Sequence, residues 1–258
     1  MISLKTSEEI ELMQENGRIL AGVFTRVKPQ AKPGVSTLQL AEIALEEIRA
    51  VGAESAFLGY RGFPGAICIS LNEEVVHGIP SPNRIMRQGD LVKIDMGIMR
   101  NGFYADMAET LYLGEDIPPE TARLLATTKK ALAAGICNCI AGQTLGKISQ
   151  SIQQVIETES LSVVKRFVGH GIGRSLHEKP PVPNFGPSHR GPRLEIGMVL
   201  AIEPIATFGS PEVAIKQDGW TAVTADGALS AHFEHTVAIS AKGPVILTST
   251  CHAGQEGL

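Results

Sequence analysis

A chain of 258 residues with 43% hydrophobic and 19% charged side chains carries enough apolar material for a full core, which excludes a disordered protein. Its formal net charge of -4 comes from interspersed signs with no basic stripe, so nucleic acid is not an expected direct partner. No run of 18 apolar residues occurs, and the start MISLKTSEEIELMQ lacks a basic segment followed by an apolar one, so no membrane partner is expected and a cytoplasmic location is.

In chain order, Thr6 with Glu9 makes a capping box, and Met13, Leu20, Phe24 and Val27 recur at helical spacing, which predicts a helix over about 7 to 27. KPQAKPG ends it. Ser36 with Gln39 caps a second helix, striped by Leu38, Ala41, Leu45 and Ile48 and stopped by Gly52. Farther on, PPETARLLATTKKALAAGI reads as a long helix, and AGQTLGKISQSIQQVIETES repeats the second one. Leu38, Ala41, Leu45 and Ile48 fall on Leu145, Ile148, Ile152 and Val155 at an offset of 107. Such a period is too long for a solenoid, so two similar halves about a pseudo-twofold axis are expected. The halves span about 1–115 and 116–258 of one domain, since no Pro-, Gly- or Ser-rich linker divides them.

After each helix pair comes strand-like sequence: AICISL, DLVKIDMGIM and FYADMAETLYL, then SVVKRFV, GMVLAIEP, GWTAVT and SAHFEHTVAI. Clustered helices and clustered strands predict an α+β fold with a largely antiparallel sheet. The four cysteines, Cys68, Cys137, Cys139 and Cys251, are too scattered for a disulfide framework and are expected as thiols. Cys137 and Cys139 lie in the apolar run ALAAGICNCIAG, where burial is expected rather than metal binding.

Asn101-Gly102 is a hairpin signal, and a two-residue turn there pairs Arg100 with Phe103. Asp95 then faces Ala108, and Asp106 stands on the same side as a diagonal neighbour, about 7 to 8 Å away at the backbone. Alone, the pair also fits a solvated face with two unrelated acids. Glu203 closes the apolar strand GMVLAIEP and Glu234 sits inside SAHFEHTVAI, where a buried carboxylate without a partner costs several kcal/mol. Lys93 shares a face with Asp95 but cannot offset four acids, whereas two divalent ions can. With one imidazole and no suitably placed cysteine pair, the donor set suits cobalt, manganese, iron or zinc in a catalytic site.

The imidazole comes from VGHGIGRSLHEKPPV, where His170 and His177 stand among glycines that argue for a shaped loop. The spacing of these glycines is not that of a nucleotide-binding loop. His189, His232, His235 and His252 carry no expected role; His235 should point to the opposite face from Glu234.

NEEVVHGIP, the Asp95 to Asp106 hairpin, GHGIGRSLHE, IEP and FEHT together resemble, in order and spacing, the type I methionine aminopeptidases over nearly the whole chain. The resemblance implies the duplicated pita-bread fold and removal of the initiator methionine from nascent polypeptides with a small second residue, possible at the ribosome, by a bacterial-like monomer. It implies two divalent metal ions, with Asp95 chelating one, Asp106 and Glu234 bridging, and His170 and Glu203 completing the other. Metal-activated hydroxide would attack the first peptide bond, Glu203 shuttling a proton to the leaving amine while His77 and His177 bond the substrate. By the same resemblance Phe57, Tyr60, Phe63, Cys68, Leu176 and Trp220 wall the methionine pocket, with Leu176 standing where an aromatic is more usual. X-Pro peptidases, which share the fold and ligands, and a non-catalytic relative are the rival readings.

Overall fold

The computed structural model describes residues 1–249, so Cys251 and His252 lie outside the described residues. The four predicted helices form as α1 (Ser7–Val27), α2 (Thr37–Ala50), α3 (Pro119–Cys137) and α4 (Leu145–Thr158). Both capping boxes are made: Glu9 N donates to Thr6 Oγ1 and Thr6 N to Glu9 Oε2, with Ser36 and Gln39 doing the same. Each such cap stabilises its helix by about 1 kcal/mol. Among the described residues no helix is long and apolar enough to cross a membrane.

Five strands precede α3: β1 (Glu54–Ser55), β2 (Cys68–Leu71), β3 (Glu74–Val76), β4 (Leu91–Arg100) and β5 (Phe103–Tyr112). After α4 come β6 (Ser162–Val163), β7 (Gly169–Gly171), β8 (Glu178–Val182), β9 (Val199–Ile202) and β10 (Ile205–Thr207). The series ends with β11 (Val213–Ile215), β12 (Ala222–Thr224), β13 (Ser230–His232), β14 (Glu234–Ser240) and β15 (Gly243–Ile246). One antiparallel sheet runs β1-β4-β5-β14-β9-β7-β8, with β2 on β4 and β15 on β14. Two smaller sheets, β13-β10-β6 and β11-β12-β3, complete an α+β architecture.

The period-2 alternation of the strands decides which face is left for chemistry. Val92, Ile94, Met96 and Ile98 of β4, with Ala105 and Met107 of β5, pack beneath Leu20, Phe24, Leu40 and Ile48 of α1 and α2. In the second half, Leu200, Ile202, Val237 and Ile239 of β9 and β14 pack beneath Leu124, Leu132, Ile148 and Ile152 of α3 and α4. The alternate residues, Asp95 and Asp106 among them, point away from the helices.

The duplication is real but its offset is 108, not the 107 expected. At 108 the start of α2 falls on that of α4, cap Ser36 on Thr144, the start of β4 on that of β9, and Asp95 on Glu203. The buried face of α2 is Thr37, Leu40, Ala41, Ala44 and Ile48, matching Leu145, Ile148, Ser149, Ile152 and Ile156, whereas Leu38, Leu45 and Val155 are only partly buried. Ala41 and Ile48 of the expected stripe are buried, but Leu40 and Ala44 turn inward in place of Leu38 and Leu45.

Three further expectations need correction. The segment holding His170 and His177 is not all loop, because Gly169–Gly171 and Glu178–Val182 pair as β7 and β8. Its glycines serve the chain's own strands: a Cβ at Gly169 would overlap the Ala201 carbonyl, and one at Gly171 the Lys179 carbonyl. Cys137, the last residue of α3, is exposed, while Cys139, just past the helix end, is buried with its Sγ 3.6 Å from the Gly135 carbonyl. SVVKRFV is extended only at Ser162–Val163, and SAHFEHTVAI breaks at Phe233 into β13 and β14.

Candidate metal centre

The hairpin register is the expected one, Arg100 facing Phe103, Gly97 facing Asp106 and Asp95 facing Ala108. Ala108 in turn faces Glu234 on β14, so Asp95 and Glu234 flank one alanine in a single cross-strand row. Ala201 of β9 faces both Thr236 of β14 and His170 of β7, which brings the imidazole in from the far side. Asp106 is pinned through its backbone: Thr236 Oγ1 donates to its carbonyl at 2.8 Å and accepts from its N–H at 3.0 Å. Ligand-capable atoms of Asp106, His170 and Glu234 lie within 4.8 Å of one another, and Glu203 Oε1 is 3.7 Å from His170 Nε2.

Burial and mutual repulsion set the charges. Burial pushes the Asp95 carboxyl up to about 7, and burial with the Asp95 charge pushes Glu203 up to about 8. Asp106 and Glu234 are raised well above the ordinary range, first by burial and then by their acidic neighbours. Lys93 brings no relief, since its buried Nζ donates to the Asn72 and Ser230 carbonyls at 2.8 and 2.9 Å. Asp95 Oδ1, Asp106 Oδ1 and Glu234 Oε1 are buried with no hydrogen-bond partner. Asp106 and Glu234 belong to the close group with His170 while Asp95 and Glu203 line the same cavity, and buried carboxylate oxygens without partners are what a cation satisfies, so the residues present fit a metal.

The imidazole fits too. His170 Nδ1 lies 2.9 Å from the Gly171 carbonyl, an acceptor, so Nδ1 carries the proton and Nε2 presents a lone pair toward Glu203. Burial holds its pKa down to about 3 and keeps it neutral. Cys68, opposite Asp95 across β2 and β4, is held as a thiol by burial and by the charges of Asp95, Asp106 and Glu234.

A cavity of about 160 Å³ adjoins these groups, and Phe57, Tyr60, Phe63, Cys68, Leu176 and Trp220 line it together with His77 and His177. That is about the volume which accepts one benzene-sized apolar group. Phe63 and Trp220 meet edge to face at 5.2 Å. His177 stacks on Tyr60, its Nδ1 2.9 Å from the phenol oxygen, and its ring centroid is 4.1 Å from that of His170.

Two residues of this site escaped sequence reasoning. Arg61 lines the cavity, and the turn signals of GYRGFPG gave no hint of it. His232, read as having no role, is buried with Nε2 3.7 Å from Glu234 Oε2. A period-2 count from Glu234 does place it on the same face, and that signal was legible. His235 does face the other way, toward Phe24, Leu132 and Thr248. Replacing His235 with alanine is expected to leave bound metal unchanged by elemental analysis; loss of one equivalent would contradict this.

Residues 11–241 match the metallopeptidase family M24. The chain is 45% identical over 248 residues to a methionine aminopeptidase of Clostridium acetobutylicum, covering 96% of this chain and 99% of that relative. It superposes on the crystal structure of a methionine aminopeptidase from Thermotoga maritima with a TM-score of 0.94 and 40% identity, over 96% of this chain and 100% of that one. An Xaa-Pro dipeptidase from Bacillus anthracis is alike in fold alone, at 21% identity and a TM-score of 0.77, with 63% of that chain covered.

Proposed function

The chain belongs to metallopeptidase family M24 and has its pita-bread fold, and we infer from this that it is an aminopeptidase removing the N-terminal methionine from polypeptides with a small second residue. The observation that carries the reading is the convergence of four carboxylates and a neutral imidazole beside a soft apolar cavity, in a chain so similar to methionine aminopeptidases.

Two divalent ions match the four carboxylates: Asp95, Asp106, His170, Glu203 and Glu234 would hold them. When bound, they supply Lewis acidity to a water and to the scissile carbonyl. Cobalt, manganese, iron and zinc all suit an oxygen-rich set with one nitrogen.

The chain's own groups do the rest. Phe57, Tyr60, Phe63, Cys68, Leu176 and Trp220 take the methionine side chain and exclude water from it. Glu203, whose carboxylate lies 3.7 Å from the His170 imidazole and lines the cavity, is the proton carrier between attacking water and departing amide nitrogen. His77 and His177, both held down to about 4 first by burial, stay neutral and donate to the oxygen that gains charge. Nascent chains met in the cytoplasm, at the ribosome, are the substrates; the protein works as a monomer with a single catalytic domain whose halves divide near residue 115.

A peptide panel tests this. Met-Ala-Ser should be cleaved after its first residue only when divalent metal is present, and Ala-Pro peptides should stay intact. Cleavage of the proline peptides alone would move the chain to the X-Pro class. Elemental analysis of protein purified without added metal identifies the resident ion.

A further inference from the structure

The connection between β7 and β8 carries Leu176, in the cavity wall, and His177, at its mouth. It is held from a place far away in the chain. Lys5, whose side chain is only 3% exposed, donates from Nζ to Glu178 Oε2 at 2.6 Å and to the Ser3 carbonyl at 3.3 Å. The other oxygen, Glu178 Oε1, accepts from the Ser175 N–H at 3.2 Å, closing the turn. A Cβ on Gly173 would overlap the Lys5 stem, so the turn and the lysine are in close contact. Lys5 is itself fixed, its N–H donating to the Gly197 carbonyl at 2.8 Å next to the Thr6 cap of α1. Glu9 and Arg174 make a second, exposed strap between α1 and the same turn, at 2.7 Å.

A buried ion pair is a poor way to gain stability, because desolvation offsets most of its attraction. It is a good way to fix geometry, since leaving one partner alone is costly and only one arrangement satisfies both. Displacing a reacting group by about 1 Å costs roughly 100-fold in rate. We propose that Lys5 is a positioning residue for the reaction: through Glu178 it fixes the turn that aims the His177 imidazole and seats Leu176 in the pocket wall. This rests on His177 acting as a substrate donor.

The test is a double-mutant cycle on Met-Ala-Ser cleavage at saturating metal, comparing wild type, Lys5→Met, His177→Ala and the double variant. Lys5→Met is expected to lower kcat about 30-fold with KM within about threefold, and Lys5→Arg to recover most of the loss. In the His177→Ala background Lys5→Met should change kcat less than about twofold, because the group it aims is gone. Full multiplication of the two losses, or an unchanged kcat in Lys5→Met, overturns the proposal. Should Lys5→Met fail to fold by calorimetry, Glu178→Gln, which keeps an acceptor for Ser175 but loses the charge, takes its place in the cycle with the same expectations. Wild type inactive on Met-Ala-Ser would instead sink the aminopeptidase reading itself, so the two failures are distinguishable.

Discussion

Replacing Glu234 with glutamine is expected to abolish peptide cleavage while making the metal-free protein more stable. The carboxylate starts β14 opposite Ala108, is 3% exposed, and has one oxygen without any partner. Lewis acidity from bound metal is worth several kcal/mol at the transition state, and each 1.36 kcal/mol is tenfold in rate, so losing a carboxylate that would hold the metal should cost about 1,000-fold or more in kcat. Stability should move the other way. In the metal-free fold Glu234 holds its proton well above the ordinary range, through burial and then the charges of Asp106, Glu203 and Asp95. Below about pH 4 both folded and unfolded chains are protonated there and nothing is lost. As pH rises the unfolded chain releases the proton and the folded chain keeps it, so the carboxyl progressively destabilises the fold, by up to about 1.4 kcal/mol per pH unit. Glutamine removes that slope. Urea unfolding of metal-free wild type and variant from pH 5 to 8 should therefore show the variant's advantage widening with pH. Asp95, Asp106 and Glu203 repel the same charge, so removing it eases their ionisation in the folded state and moves the difference in the same direction. A variant less stable than wild type throughout, or one that keeps full activity, contradicts the assignment.

Replacing His77 with glycine is expected to lower kcat about 100-fold with little change in KM, the loss found when one preorganised donor is removed from a developing oxyanion. Glycine is the informative substitution because His77 has φ +59°, a backbone conformation that costs a side-chain-bearing residue about 1 kcal/mol or more. His77→Gly relieves that strain and His77→Ala retains it, so the glycine variant should be the more stable while both lose the same activity. Equal activity in wild type and His77→Gly would remove His77 from the reaction. The imidazole is held down to about 4 by burial and then by His177, so its neutral form prevails from pH 5 upward. The kcat profile should accordingly show no limb near pH 6.5 that disappears in His77→Gly.

The sequence by itself determined what depends on neighbours along the chain. Asn101-Gly102 fixed the hairpin register, and with it the common face of Asp95 and Asp106, because a two-residue turn leaves one way to pair the strands. Thr6 with Glu9 and Ser36 with Gln39 fixed two helix starts, because a cap is made within one turn. The acids at 203 and 234 were legible because carboxylates in apolar strands demand a cation. What only the tertiary structure decided involves partners far apart in the chain. Which face of α2 meets the sheet, with Leu40 and Ala44 inward rather than Leu38 and Leu45, and hence the offset of 108, depended on a surface the sequence does not display. Gly169 and Gly171 answer to the carbonyls of Ala201 and Lys179, and Lys5 to Glu178, 173 positions away. Local backbone chemistry is written residue by residue, but close approach between distant segments is a property of the closed fold.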